Sequence, residues 1–424
     1  MSLDGPLAEA GARRSERVLR GLVAVGPLAV ALPVYGLLLD HLPERWFAAR
    51  PLLYVFAAVT ALCAGLGSRL AGQWAAARYL TPRSPAPAGP AASPAGTASP
   101  GRTPSAHTIR ARAARHLLSD FREARHGRAT VCGWSQYLGD EAPPTAIGTS
   151  YGLRLVMDLD LRDPRVNRRQ IVESLVALQR PSGGWAASTQ RGLGRPEVTA
   201  WVLVPAVRAG LAPGTEETLR ALLEKLTAAD DPQGMERTSV VASLVAAFAE
   251  IAPGSPWLPE LSRRLLDAAH EDDGMVSWGQ ALHGNVRRSA PHTARAVIAL
   301  VRAERALGEK ADFGPAVGGA LRWLAREDLD LRPTDEQLRR PAPGGDVDAL
   351  FIGHFTAAWV ARALMSGRDS AECERALRAA VRAVLDDQRD GVWTWHDGRR
   401  PIWMTYQGCV VLREYALRNL PWPP

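Results

Sequence analysis

The sequence predicts an all-α fold: an (α/α)6 toroid of six helical hairpins over residues 107–424, preceded by a two-helix transmembrane hairpin. Three observations predict it. A threonine followed by small apolar residues recurs six times. Each recurrence follows an amphipathic stretch with apolar residues spaced three and four apart. Two uncharged apolar stretches stand near the amino terminus.

The repeated threonines are Thr149, Thr199, Thr238, Thr293, Thr356 and Thr405, spaced 50, 39, 55, 63 and 49 residues apart. Such a period marks an array of supersecondary units. The amphipathic stretches Ile109–Ala124, Arg169–Gln179, Glu217–Ala228, Leu258–Ala269, Pro315–Arg326 and Glu374–Asp386 read as outer helices, apolar on one face. The stretches after the threonines are richer in Ala and Val and poorer in charge, which is the pattern of helices covered on all sides. Two concentric layers follow, closed into a ring; an open solenoid is the structural alternative. No sustained period-two run bounded by hairpin turns competes, so no strands are expected.

Gly21–Leu39 carries no charge over 19 positions and Pro51–Gly67 none over 17. A membrane-spanning helix needs about 20 apolar residues, so residues 1–80 read as an anchor in the lipid bilayer with helices at about 21–39 and 51–67. Arg13, Arg14, Arg17 and Arg20 precede the first stretch, and Arg69, Arg78 and Arg83 follow the second. The positive-inside rule then puts both ends, and the toroid, on the cytoplasmic side of the inner membrane. Residues 81–106 are almost wholly Pro, Ala, Ser, Gly and Thr and read as a disordered linker.

Composition excludes more than it selects. The net charge is +7, but it comes from 49 arginines against two lysines, Lys225 and Lys310, as GC-rich bacterial codon usage produces. No basic run interleaves with aromatics, so no nucleic-acid partner is expected. Cys63, Cys132, Cys373 and Cys409 form no CxxC pair or zinc-type spacing and read as reduced, dispersed residues. No HExxH motif, phosphate loop or nucleophile elbow occurs, and no cofactor is expected.

At the second repeat the residues become specific. Gln179-Arg180-Pro181-Ser182-Gly183-Gly184-Trp185 fits Q-x3-G-x-W, and Gln388 to Trp393 is the same pattern one residue short. Cys132-Gly133-Trp134 and Val276-Ser277-Trp278 keep the tryptophan. A Gln there can bond the open end of an outer helix while the Trp packs between hairpins. In register with six inner-helix threonines, the motif resembles the QW repeat of the terpenoid cyclase and protein prenyltransferase superfamily, of the squalene–hopene cyclase kind, over residues 107–424.

The resemblance implies chemistry at the mouth of the ring, just before the inner helices. Positions matching a prenyltransferase zinc site are Ile352, His354 and Met404, where the family pattern has Asp, Cys and His, so no metal ligand set is expected there. Asp346-Val347-Asp348-Ala349 matches the acidic DxDD motif of class II cyclases without its last Asp. Asp348, the would-be proton donor, stands eight residues before Thr356, where the cyclase register puts the acid two before. A loop or turn position is the plainer expectation for it.

The same rim register gathers Arg195, Glu197, Glu236 and Arg237 on one side of the mouth and His292, His354 and Trp403 on the other. Glu197, Glu236, His292 and His354 are the candidate catalytic residues, as acids or bases if desolvation shifts their pKa values. Arg195, Arg237, Trp403, Asp346 and Asp348 are candidate ligand contacts, and Arg287, Arg288, Arg399 and Arg400 are further anion holders. Helix-start carboxylates and neighbouring ion pairs are the structural explanation of the same residues. Three functions stay open. The first is a lipid-like, isoprenoid ligand held in the central cavity, with acid–base chemistry at the rim. The second is a non-enzymatic module receiving a peptide or partner protein. The third is a divergent class II terpene cyclase using Asp348.

Overall fold

The computed structural model describes residues 104–422, apart from 191–192, 230–231, 285, 342–346, 368–369 and 419. The chain divides into two units, Met1–Gly101 and Arg102–Pro424, and all described residues belong to the second. The expected membrane hairpin, nearly all of the 81–106 linker and Asp346 lie outside the described residues. Among the described residues no helix is long and apolar enough to cross a membrane.

Among the described residues, twelve helices of ten or more residues alternate between two layers. They are α1 (Ala106–Ser119), α2 (Ala146–Asp158), α3 (Arg168–Ala177), α4 (Pro196–Arg208), α5 (Pro213–Ala228), α6 (Thr238–Ile251), α7 (Trp257–Asp267), α8 (Ala290–Leu307), α9 (Gly314–Leu324), α10 (Thr356–Ser366), α11 (Ala371–Asp386) and α12 (Ile402–Leu417). The even-numbered helices pack in series, α2 on α4, α4 on α6, and so on to α12, which returns to α2. The ring is therefore closed. The odd-numbered helices lie outside it: α3 rests on α2 and α4, α7 on α6 and α8, α11 on α10 and α12, and α1 covers α12.

Local sequence explains the two layers. In α11, Leu377, Ala380, Val381, Val384 and Leu385 make one buried stripe, while Ser370 caps the helix by accepting from Cys373 N at 3.1 Å. In α6 the buried residues run almost all round, from Thr238 to Ile251. Pro196 and Pro291 sit in the first turns of α4 and α8, where a missing N–H costs nothing.

The recurring tryptophan is a clamp between layers. The indole N–H groups of Trp134, Trp185, Trp278 and Trp393 donate to the carbonyls of Leu117, Leu175, Leu265 and Val384, at or near the ends of outer helices, at 2.7–2.8 Å. In repeats one, two and four the Trp backbone N–H also donates to the repeat threonine: to Thr149 at 3.3 Å, Thr199 at 3.1 Å and Thr293 at 2.9 Å. All four tryptophans are fully buried. Two lie on glycines of inner helices: a Cβ at Gly152 would fall 2.1 Å from the Trp134 ring, and one at Gly408 2.4 Å from Trp393. In the last repeat the motif glutamine has a different task from the one expected. Gln388 Oε1 accepts from Gly391 N at 2.9 Å, holding the loop, and it is the indole that reaches the outer-helix end.

Two expectations are corrected. The first outer helix stops at Ser119 rather than Ala124, because Arg122–His126 turns through Gly127 and pairs antiparallel with Ala129–Gly133. Strands also occur, as five two-stranded sheets among the described residues. The longest is a hairpin between α9 and α10, formed by β1 (Thr334–Pro341) and β2 (Val347–His354), with Arg340 opposite Asp348, Leu338 opposite Leu350 and Glu336 opposite Ile352. Its buried row mixes charged residues and a histidine with apolar ones, so no sustained hydrophobic period of two marks it.

Candidate functional site

The β1–β2 hairpin lies on the side of the ring where the inner helices start. Its inward residues Glu336, Leu338, Arg340, Asp348, Leu350, Ile352 and His354 are all buried, whereas Val347 and Phe351 on the other row are exposed. Asp348 is thus on a strand over the ring and not in a loop. Two ion pairs fasten the hairpin near its turn. Arg195 Nη2 lies 2.9 Å from Asp348 Oδ2 and donates to the Pro341 carbonyl at 3.3 Å. Arg340 Nη1 lies 3.1 Å from both carboxylate oxygens of Glu197. Glu197 and Arg340 are essentially inaccessible to solvent. Gly234 makes room for the guanidinium, since a Cβ there would fall 2.0 Å from Arg340 Nη2.

At the other end of the hairpin His292, Glu336 and His354 meet. His292 Nε2 is 3.3 Å from Glu336 Oε2, and His354 Nε2 is 3.4 Å from Glu336 Oε1. The two imidazoles stand edge to face with centroids 4.8 Å apart. Burial pushes the Glu336 carboxyl up, but the histidine contacts outweigh it and hold the group well below the usual carboxylate range. Burial pushes His354 down to about 4, against the pull of Glu336, so its ring is neutral at pH 7.

Among the described residues, two adjoining cavities lie against the inner helices. The larger, about 330 Å³, is bounded by the Leu350–Gly353 stretch of β2 and by Tyr151, Trp201, Trp359 and Trp403. Trp403 packs edge to face on Trp395 at 5.5 Å. The smaller, about 100 Å³, lies farther along the inner helices and shares Tyr151, Trp201, Arg295, Trp359 and Gln407 with the first. Its wall carries four arginines, Arg154, Arg295, Arg302 and Arg362, and no described carboxylate.

Arg154 and Arg295 are held by neutral groups. Arg154 donates to the Trp201 carbonyl at 3.0 Å and lies within 6 Å of the Tyr151 and Tyr406 rings. Arg295 donates to the Ser239 carbonyl at 3.1 Å and to Ser243 Oγ at 2.7 Å. Its guanidinium carbon is 4.9 Å from the centre of the Trp359 ring, and that of Arg362 is 5.3 Å from it. Arg362 Nε has no hydrogen-bond partner among the described residues. Among the described residues only Arg302 of the four has an ion pair, with Glu250 at 3.6 Å, which Arg208 also engages, while the charge of Glu336 acts on Arg295. Burial pushes the Arg295 and Arg302 guanidinium groups below their ordinary pKa, and the charge of Arg362 adds to it.

The structure thus brings together Arg195 with Asp348, and His292 with His354. It separates the rest. Glu197 is committed to Arg340 beneath the hairpin and lines neither cavity, so the expected free general acid or base is not there. Glu236 is exposed and Arg237 half-buried, and neither lines the two cavities described above. Asp348 and His354 stand at opposite ends of β2. Glu336, Arg340 and the lumen arginines were missed by a reading confined to positions just before the threonines. The lumen arginines had a signal: each stands two to nine residues after a repeat threonine, in an inner helix rich in small apolar residues.

No protein-family model and no curated protein matches the chain. Among solved structures, the apo form of the type II terpene cyclase MstE from Scytonema is similar, with 18% identity, a TM-score of 0.46, and 74% of this chain and 99% of that one covered. A variant of the same cyclase in complex with its substrate, geranylgeranyl dihydroxybenzoate, matches with 16% identity and a TM-score of 0.44 over 74% of this chain and 97% of that one. The chain is similar to these cyclases in structure at low sequence identity.

Proposed function

We propose that the ring binds an anionic, lipid-like small molecule in its lumen, with the charged head among Arg154, Arg295, Arg302 and Arg362 and the apolar body in the larger cavity. The observation that carries this is the arginine belt with no carboxylate in its wall. Buried like charges repel and are costly to desolvate, so an interior that gathers them gains most from an anion. Carboxylate and phosphate groups match the guanidinium fork. The larger cavity, about 330 Å³, falls at the lower end of small-molecule pockets, which run roughly 300–1,000 Å³. Its tryptophan-rich wall supports an isoprenoid tail as the apolar body.

The reading is of binding rather than acid–base turnover, because Glu197 is tied to Arg340 and Glu236 is exposed. The uncharged stretches 21–39 and 51–67 support a membrane tether that keeps the ring beside the bilayer its ligand comes from, and their flanking arginines support a cytoplasmic position. The test is mass spectrometry of small molecules that copurify with the detergent-extracted full chain. An anionic lipid-like species is expected. Arg154→Gln/Arg362→Gln is expected to lower its recovery by about tenfold or more, since each charged hydrogen bond lost costs roughly 1.5–3 kcal/mol. Recovery of neutral lipids alone, or equal recovery from the variant, overturns the reading.

A further inference from the structure

We propose that His292, Glu336 and His354 bind a divalent transition-metal ion that pins the β1–β2 hairpin to the ring. One ligand atom from each of the three lies within 4.8 Å of the others, and all three side chains are buried. They come from three places in the fold: the first turn of α8, the first half of β1 and the end of β2.

The separations favour ligation over a simple ion pair. A charge-assisted hydrogen bond between imidazole and carboxylate closes to roughly 2.7–2.9 Å. Here the two contacts are 3.3 and 3.4 Å. Donors held at about 2.0–2.2 Å from a tetrahedral ion lie roughly 3.3–3.5 Å apart. With either oxygen of Glu336 as the donor, one His–Glu edge already has that length, 3.3 Å from His292 to Oε2 or 3.4 Å from His354 to Oε1, and the remaining edges, none over 4.8 Å, have to close.

The hydrogen bonding of the same groups points the same way. His354 is fully buried, and neither of its ring nitrogens makes a hydrogen bond to any described group. Glu336 Oε1, facing it, makes none either. Buried polar atoms are almost always satisfied, so a facing pair left open calls for a missing partner. His292 is prepared for the same role: Ser289 Oγ lies 2.8 Å from Nδ1 and orients the ring with Nε2 toward Glu336. A second hydrogen bond of this kind is the usual support of a metal-bound imidazole.

Two nitrogens and one carboxylate oxygen suit zinc and the other late first-row divalent ions. The set is not the one looked for from the repeat register, since neither Ile352 nor Met404 contributes. Its placement suggests fastening: the Arg195–Asp348 and Glu197–Arg340 pairs hold the hairpin near its turn, and the ion would hold its base.

The test uses the full chain, tag-free and in detergent, stripped with chelator and titrated with Co²⁺. One equivalent is expected to give visible d–d absorption, which Zn²⁺ displaces, and Zn²⁺ is expected to raise the melting temperature. His354→Gln and Glu336→Gln are each expected to weaken Co²⁺ binding at least about tenfold, and His283→Ala, an exposed histidine, to leave it unchanged. Absence of the one-equivalent signal in the wild-type protein overturns the proposal, and this holds even if a variant fails to fold. So does equal binding by His354→Gln and Glu336→Gln.

Discussion

Repeats two and five carry the same threonine at the start of the inner helix and use it differently. In repeat two Thr199 accepts from the Trp185 backbone at 3.1 Å, and the indole closes on the outer helix at Leu175. Every partner lies within 14 residues. In repeat five the tryptophan is absent, and Thr356 Oγ1 has no hydrogen-bond partner among the described residues. The β1–β2 hairpin stands in its place, fastened by Arg340 to Glu197, 143 residues away, and by Asp348 to Arg195, 153 residues away. The first design is local and hydrophobic and builds the ring. The second is long-range and ionic and covers its mouth.

The largest test of this contrast strands a charge. Arg340→Met leaves the Glu197 carboxylate buried and without that partner, which is expected to lower stability by about 3–5 kcal/mol in chemical denaturation. Adding Glu197→Leu is expected to restore most of the loss, since removing both charges removes the desolvation cost. A double variant as unstable as the single one would mean the pair contributes more than charge balance.

A smaller effect separates the two threonines. Thr199→Val is expected to cost about 1–2 kcal/mol, because the Trp185 N–H loses its acceptor while buried. Thr356→Val is expected to be neutral or slightly stabilising, as it removes a hydroxyl with nothing to bond. Equal losses at the two sites would break the comparison.

The smallest effect leaves stability untouched and reads accessibility. Burial pushes the Cys409 thiol up to about 12, and burial also raises Cys132 above its ordinary value. The thiolate is the reactive form, so both stay protonated and inert at pH 8. Peptide mapping after alkylation of the folded protein is expected to find Cys373, which is only half-buried, labelled well before either.

The local design was legible in the amino-acid sequence and the long-range one was not. All six threonines fall on the six inner helices, at or near their starts, because small apolar residues around a recurrent polar one are a short-range pattern. The outer helices were placed to within a few residues, apart from the first, where Gly127 turns the chain. The hairpin escaped because Glu336, Arg340, Asp348 and His354 occupy its buried row, and charge at a buried position reads as exposure until its partner is known. Half of the rim pairing was found in this way: Arg195 and Asp348 were both singled out, but as separate ligand contacts rather than as partners. The arginine belt was overlooked for a different reason. Attention to positions before the threonines describes the rim, whereas Arg154, Arg295 and Arg362 lie after them, inside the lumen.

Closure of the ring has a consequence for how the chain comes to be folded. The seam between α12 and α2 is joined by Arg413 and Asp158, 255 residues apart, and α1 packs on α12. Contacts of such separation form slowly, since a long loop must be ordered before they are made. During synthesis the first hairpin must wait, with its lumen-facing and α12-facing surfaces open, until the final helix of the ring has left the ribosome. The nascent chain therefore has an aggregation-prone interval that spans nearly the whole domain, and chaperone demand should track the arrival of α12 rather than the length of chain already helical.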